Sequence, residues 1–109
     1  MSATTHPPQK LPLPIHPGEL AEICRRHRVR RLALFGSRAR GDARADSDVD
    51  LLVEFQPEAH PTLLDMATLE QELSSGMGGM RVDLRTPAEL SRYFREDVLH
   101  ESVDQYVAG

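Results

Sequence analysis

Leu20, Ile23, Cys24 and His27 recur at helical spacing behind Pro17, a residue suited to a first helical turn. This pattern predicts an amphipathic helix over residues 17–28 with Cys24 on its buried face. The spacing then tightens. Leu32, Leu34 and Phe35 form a short apolar run that stops at Gly36-Ser37, which reads as a strand ended by a glycine turn. A second strand is predicted over residues 48–55, where Val49, Leu51, Leu52, Val53 and Phe55 supply β-prone or apolar bulk. Helical spacing returns at Leu63, Leu64, Met66, Ala67, Leu69, Glu70 and Leu73, so a helix is predicted over residues 62–74, stopped by Gly76-Met77-Gly78-Gly79. Residues 80–85 read as a third short strand, and Pro87 opens a further helical turn. Tyr93, Phe94, Val98, Leu99, Val103, Tyr106 and Val107 then read as one apolar stripe on a terminal helix. The order helix, strand, short helix, strand, helix, strand, helix implies an α/β or α+β fold whose sheet is covered mainly on one side.

With 109 residues, 39% of them apolar and 28% charged, the chain has room for one small domain and not for two. Pro7, Pro8, Pro12 and Pro14 forbid regular helix at the start, so residues 1–14 are expected to be a flexible tail and residues 15–109 the domain. Neither a membrane span nor a secretory signal is recognisable, and a cytoplasmic location is expected. Cys24 is the single cysteine, which excludes an internal disulfide, and the five histidines show neither zinc nor triad spacing.

The net charge of −4 conceals a division. Residues 1–44 carry nine basic and three acidic side chains, whereas the remainder carries four arginines against fourteen acids. An acidic chain of this kind is not expected to bind DNA in general, because nonspecific duplex affinity comes mainly from neutralising phosphates. Arg25, Arg26, Arg28, Arg30 and Arg31 read as a solvated helix end, where cations are favoured.

Chemistry concentrates between Gly36 and Phe55. Side chains two apart on a strand share a face, so Asp48 and Asp50 present paired carboxylates. Such a pair repels itself unless a hard cation intervenes, and Mg²⁺ takes one or two carboxylates completed by water and substrate phosphates. The Gly36-Ser37 turn allows close backbone approach to an anion, Ser37 adds a hydroxyl, and Arg38 and Arg40 lie within reach with forks suited to phosphate oxygens. A helical crossover would set the second and third strands parallel and bring Asp83 opposite Asp50. That arrangement suits metal-assisted attack on a nucleoside triphosphate, with Asp83 holding a second metal or taking the proton.

Gly36-Ser37, ten intervening residues, Asp48-Val49-Asp50 and a later strand aspartate together resemble the polymerase-β-like nucleotidyltransferase superfamily, and within it the minimal nucleotidyltransferases. The likeness runs from about Pro17 through the terminal helix. It implies a palm-like fold with a small mixed sheet. It further implies Asp48 and Asp50 as metal ligands, Asp83 as the third acid, and Gly36, Ser37 and Arg40 as holders of the triphosphate. Members of this branch are commonly antitoxins encoded beside HEPN-domain ribonucleases, and they transfer AMP from ATP to a tyrosine of the toxin. The resemblance therefore implies Mg²⁺ as cofactor, ATP as substrate and a HEPN toxin as partner in a hetero-oligomer.

Other readings are weaker on the residues. An EF-hand counted from Asp46 has Leu51 where glycine is needed and Pro57 where the bidentate glutamate belongs. A P-loop counted from Gly36 meets Asp42-Ala43 where Lys and Ser/Thr are required. Gly36-Ser37 alone is explained by a strand-to-helix turn with Ser37 as N-cap, and a lone Asp83 by an exposed strand acid. Two rival functions remain: transfer of a nucleotide to a small molecule such as an aminoglycoside, and an antitoxin that masks its partner without catalysis.

Overall fold

The computed structural model describes residues 13–41, 48–90 and 92–108, with 92–94 as backbone alone. Helix α1 (Pro17–Arg26) opens with the His16 Nδ1 accepting from the Gly18 amide at 3.0 Å, and it buries Leu20, Ile23 and Cys24. Strand β1 (Val29–Phe35) leads into the four-residue helix α2 (Ser37–Arg40), and β2 (Val49–Phe55) follows. Helix α3 (Leu63–Gly76) starts in a reciprocal cap: the Thr62 hydroxyl accepts from the Asp65 amide at 3.1 Å, and the Thr62 amide donates to the Asp65 carboxylate at 2.8 Å. After β3 (Val82–Arg85) come a 3₁₀ turn at Pro87–Glu89, helix α4 (Arg92–Glu101) and β4 (Val103–Val107).

The strands form one mixed sheet in the order β3-β2-β1-β4. Strand β1 runs antiparallel to both β2 and β4, and β3 pairs parallel to β2 through the α3 crossover. Period-two alternation divides β2 between the two faces. Val49, Leu51 and Val53 are fully buried and join Leu32, Leu34 and Leu84 beneath Leu20, Ile23 and Cys24 of α1 and Leu69 and Leu73 of α3. Asp48, Asp50, Leu52 and Glu54 belong to the alternate set. The fold is thus α+β, with α1 and α3 together on one face. No helix among the described residues is long and apolar enough to cross a membrane.

The terminal apolar stripe is not one helix. Helix α4 stops at Glu101, and Val103, Tyr106 and Val107 lie in β4 on the outer flank of β1. The Ser102 hydroxyl donates to the Leu99 carbonyl at 2.9 Å and ends the helix there, after which pairing with β1 satisfies the backbone in an extended form. The sheet therefore has four strands, one more than the apolar pattern predicts. Smaller differences lie at element ends: α1 stops two residues early, α3 runs two residues further, and β1 begins at Val29. The expected tail falls largely outside the described residues. Leu13, however, is buried at 8% exposure and joins the core cluster, since its side chain packs inward although its neighbours are prolines.

The charge division also finds its place. Arg26 meets Glu72 at 3.0 Å, Arg30 and Arg31 meet Glu54 at 2.6 and 3.0 Å, and Arg31 meets Asp104 at 2.6 Å. Arg26, Arg30 and Arg31 thus pair with acids of the second half, while Arg25, Arg26, Arg28 and Arg30 remain exposed as expected of a solvated face; Arg30 and Arg31 belong to β1 and not to the helix end. Cys24 is fully buried, and burial pushes its thiol up to about 12, as expected for an inert packing residue.

Candidate active site

Two strand registers assemble the site. In the antiparallel pair, Phe35 stands opposite Asp50, so the turn at the end of β1 meets the start of β2. In the parallel pair, Asp50 stands opposite Asp83. Asp48 lies just ahead of β2, two residues from Asp50 and on the same side by strand alternation. Gly36 has φ 78°, in the left-handed region, and a methyl group there would overlap the Asp50 carboxylate. Glycine is therefore required at this corner twice, once by the backbone and once by the neighbouring acid.

Burial pushes the Asp50 carboxyl above the ordinary aspartate value, and the charges of Asp83 and Asp48 push it further, against the opposing pull of Arg85 and Arg40. Ionised Asp50 is thus a cost to the folded state. An acid whose pKa is raised on folding lowers stability as pH climbs from its unfolded value through its folded one. We therefore expect Asp50→Asn to melt above the wild type at pH 7 to 8 without divalent ions. Thermal melts across pH should show the gap closing as pH falls towards the ordinary value of 3.8.

The remaining predicted residues fall around the same corner. Ser37 is the first residue of α2, while Gly36 occupies the cap position without a side-chain bond, so Ser37 is not the N-cap. The amides of Ala39 and Arg40 both donate to the Gly36 carbonyl, at 3.1 Å. Arg40 ends α2 with its Nη1 3.6 Å from the Glu101 carboxylate, and its charge reaches Asp50. The residues 42–47 that link this helix to Asp48 lie outside the described part of the chain.

Sequence reasoning missed two neighbours. The Arg81 Nε lies 3.2 Å from Asp48 Oδ1, and the Arg85 guanidinium spans both oxygens of Asp83, at 3.1 and 3.4 Å. The signal was present as the alternation Arg81, Asp83, Arg85, which sets all three on one side of an extended chain. Among the described residues, no three His, Cys, Asp or Glu side chains converge as a ready metal cage. The donor chemistry nevertheless suits a hard cation: acceptor oxygens only, mutually repelling, beside a glycine corner that any side chain would fill.

A family model described as a nucleotidyltransferase domain matches residues 18–104. The protein adenylyltransferase MntA of Thermococcus cleftensis is 43% identical over 91 residues, covering 84% of this chain and 86% of that protein. A solved structure provisionally described as a minimal nucleotidyltransferase superposes with a TM-score of 0.67 at 42% identity, covering 80% of this chain and 86% of the other. The tri-AMPylated Shewanella oneidensis HEPN toxin in complex with MNT antitoxin supplies a chain that matches at a TM-score of 0.59 and 18% identity, covering 84% of this chain and 70% of that one. At that identity the likeness concerns the fold.

Proposed function

Because this chain belongs to the nucleotidyltransferase-domain family, and within it to the minimal nucleotidyltransferases, we propose that it is a protein adenylyltransferase acting as an antitoxin. In this reading it transfers AMP from ATP to a tyrosine hydroxyl of a cognate HEPN-domain ribonuclease, with which it assembles in the cytoplasm. The observation that carries the reading is the parallel register setting Asp83 against Asp50, beside a corner where only glycine fits. The likeness to a named protein adenylyltransferase at 43% identity supports the reaction class.

Asp48, Asp50 and Asp83 would hold Mg²⁺, which when bound neutralises the triphosphate and lowers the pKa of the attacking hydroxyl. The hydroxyl oxygen forms a bond to the α-phosphorus, and the bond to pyrophosphate breaks. Asp83, opposite Asp50 in the parallel pair, would accept the hydroxyl proton. Gly36 admits the triphosphate close to the backbone, Ser37 donates its hydroxyl to a phosphate oxygen, and Arg40 contributes positive charge. The described residues form one sheet and its helices, so a partner protein that brings its own binding surface is the fitting acceptor.

Incubation with labelled ATP and Mg²⁺, with and without the product of the neighbouring gene, tests the reading. Label on the partner is expected, reduced about 10³-fold or more by Asp48→Asn or Asp50→Asn, as befits loss of a metal ligand. Protection of the partner without label, surviving both substitutions, would establish simple masking. Label that appears only with an aminoglycoside would establish a small-molecule acceptor.

A further inference from the structure

Two of the three acids already have cationic partners drawn from β3 and the residue ahead of it. Arg85 grips Asp83 through both guanidinium nitrogens that face it, at 3.1 and 3.4 Å, and Arg81 reaches Asp48 at 3.2 Å. Alternation places Arg81, Asp83 and Arg85 on one side of the chain, and the parallel register sets this row beside Asp48 and Asp50. The Arg85 side chain is 48% exposed, so it can swing away without disturbing the core. An arginine fork that suits a carboxylate suits a phosphate equally well.

We propose that Arg85 is an internal counter-ion for Asp83 that a divalent cation must displace, and that the released guanidinium then turns to the triphosphate. Arg81 performs the same exchange at Asp48, held less firmly because its side chain is 82% exposed. Metal and nucleotide consequently enter as one unit. A bare cation competes with the arginines, whereas a cation carrying a triphosphate offers each displaced arginine a new anion. This inference rests on the metal-binding reading of the acids and adds a positioning residue to it.

The test is binding of Mn²⁺ to the full chain, followed by the loss of the free-ion electron paramagnetic resonance signal, with and without a non-hydrolysable ATP analogue. Without nucleotide, Arg85→Gln should tighten Mn²⁺ about threefold, the scale of an exposed ion pair. In an Asp83→Asn background the same substitution should change nothing, since the pair it breaks is already gone. With the analogue present, Arg85→Gln should bind the metal–nucleotide complex more weakly than the wild type.

Unchanged Mn²⁺ affinity in Arg85→Gln overturns the proposal. So does a tightening that persists undiminished in the Asp83→Asn background, because the arginine then acts through its general field. The Nε–H resonance of Arg85 in the unaltered protein gives a second readout: it should shift when Mg²⁺ and the analogue are added, and a fixed resonance also overturns the exchange. Asp50→Asn separates the two levels. If it binds Mn²⁺ as the wild type does, the metal reading falls and the exchange with it. If it loses Mn²⁺ while Arg85→Gln has no effect, the exchange alone falls.

Discussion

Gly36→Ala is expected to slow AMP transfer about 100-fold, the scale of a misplacement of about 1 Å at a reacting centre. Two penalties meet at this position. An alanine at φ 78° occupies a region that costs L-residues roughly 1–2 kcal/mol, and its methyl overlaps the Asp50 carboxylate. The second is the damaging one, because the carboxylate must leave the place it holds between the corner and Asp83. Gly41→Ala separates the two. Gly41 has φ 85°, but among the described residues nothing stands within 4 Å of the added methyl. It should therefore lose comparable stability in thermal melts yet keep most of its transfer rate. Equal rate losses in both variants would show that backbone strain, not contact with Asp50, sets the requirement for glycine.

The largest effect on the fold should follow Leu51→Ala. Leu51 is fully buried at the centre of β2, against the face covered by α1 and α3. Emptying such a site costs about 2–5 kcal/mol, since the surrounding side chains relax only partly. A domain of this size has about 5–15 kcal/mol in all, so the variant should melt on the order of 10 °C or more below the wild type. Leu63→Ala is the contrast: at 89% exposure its loss should change stability by no more than about 0.5 kcal/mol. Urea titration followed by circular dichroism measures both.

The parts of this molecule that were legible in the sequence are those where two independent signals agree. Leu32 to Phe35 followed by Gly36-Ser37 marked both the end of a strand and a turn into a short helix, and both are found there. Asp50 and Asp83 were expected to face each other because a helical crossover enforces parallel strands, and the register pairs them directly. The end of the chain carried only one signal. Val103, Tyr106 and Val107 fit the stripe begun by Val98 and Leu99, and five residues are too few to separate a period of two from one of 3.6. The decision came from elsewhere in the fold: β1 had an open flank, and pairing with it fixed the last segment as β4. The ion pair of Arg81 was hidden for a related reason. Asp48 is 33 positions away from Arg81 and becomes its partner only once β3 has a neighbour, whereas Arg85 and Asp83 stand two apart on one strand and their spacing was readable.

The pairing of β3 with β2 also makes loop length a matter of catalysis. A slip of one residue would turn Asp83 towards α3 and set Val82 or Leu84 opposite Asp50, leaving an apolar side chain among the acids. Inserting or deleting a single residue in the Gly78-Gly79 bend risks that slip, whereas the stretch between Phe55 and Thr62 can vary in length without shifting any strand against its neighbour. Homologous chains should therefore keep the first spacing constant and let the second drift.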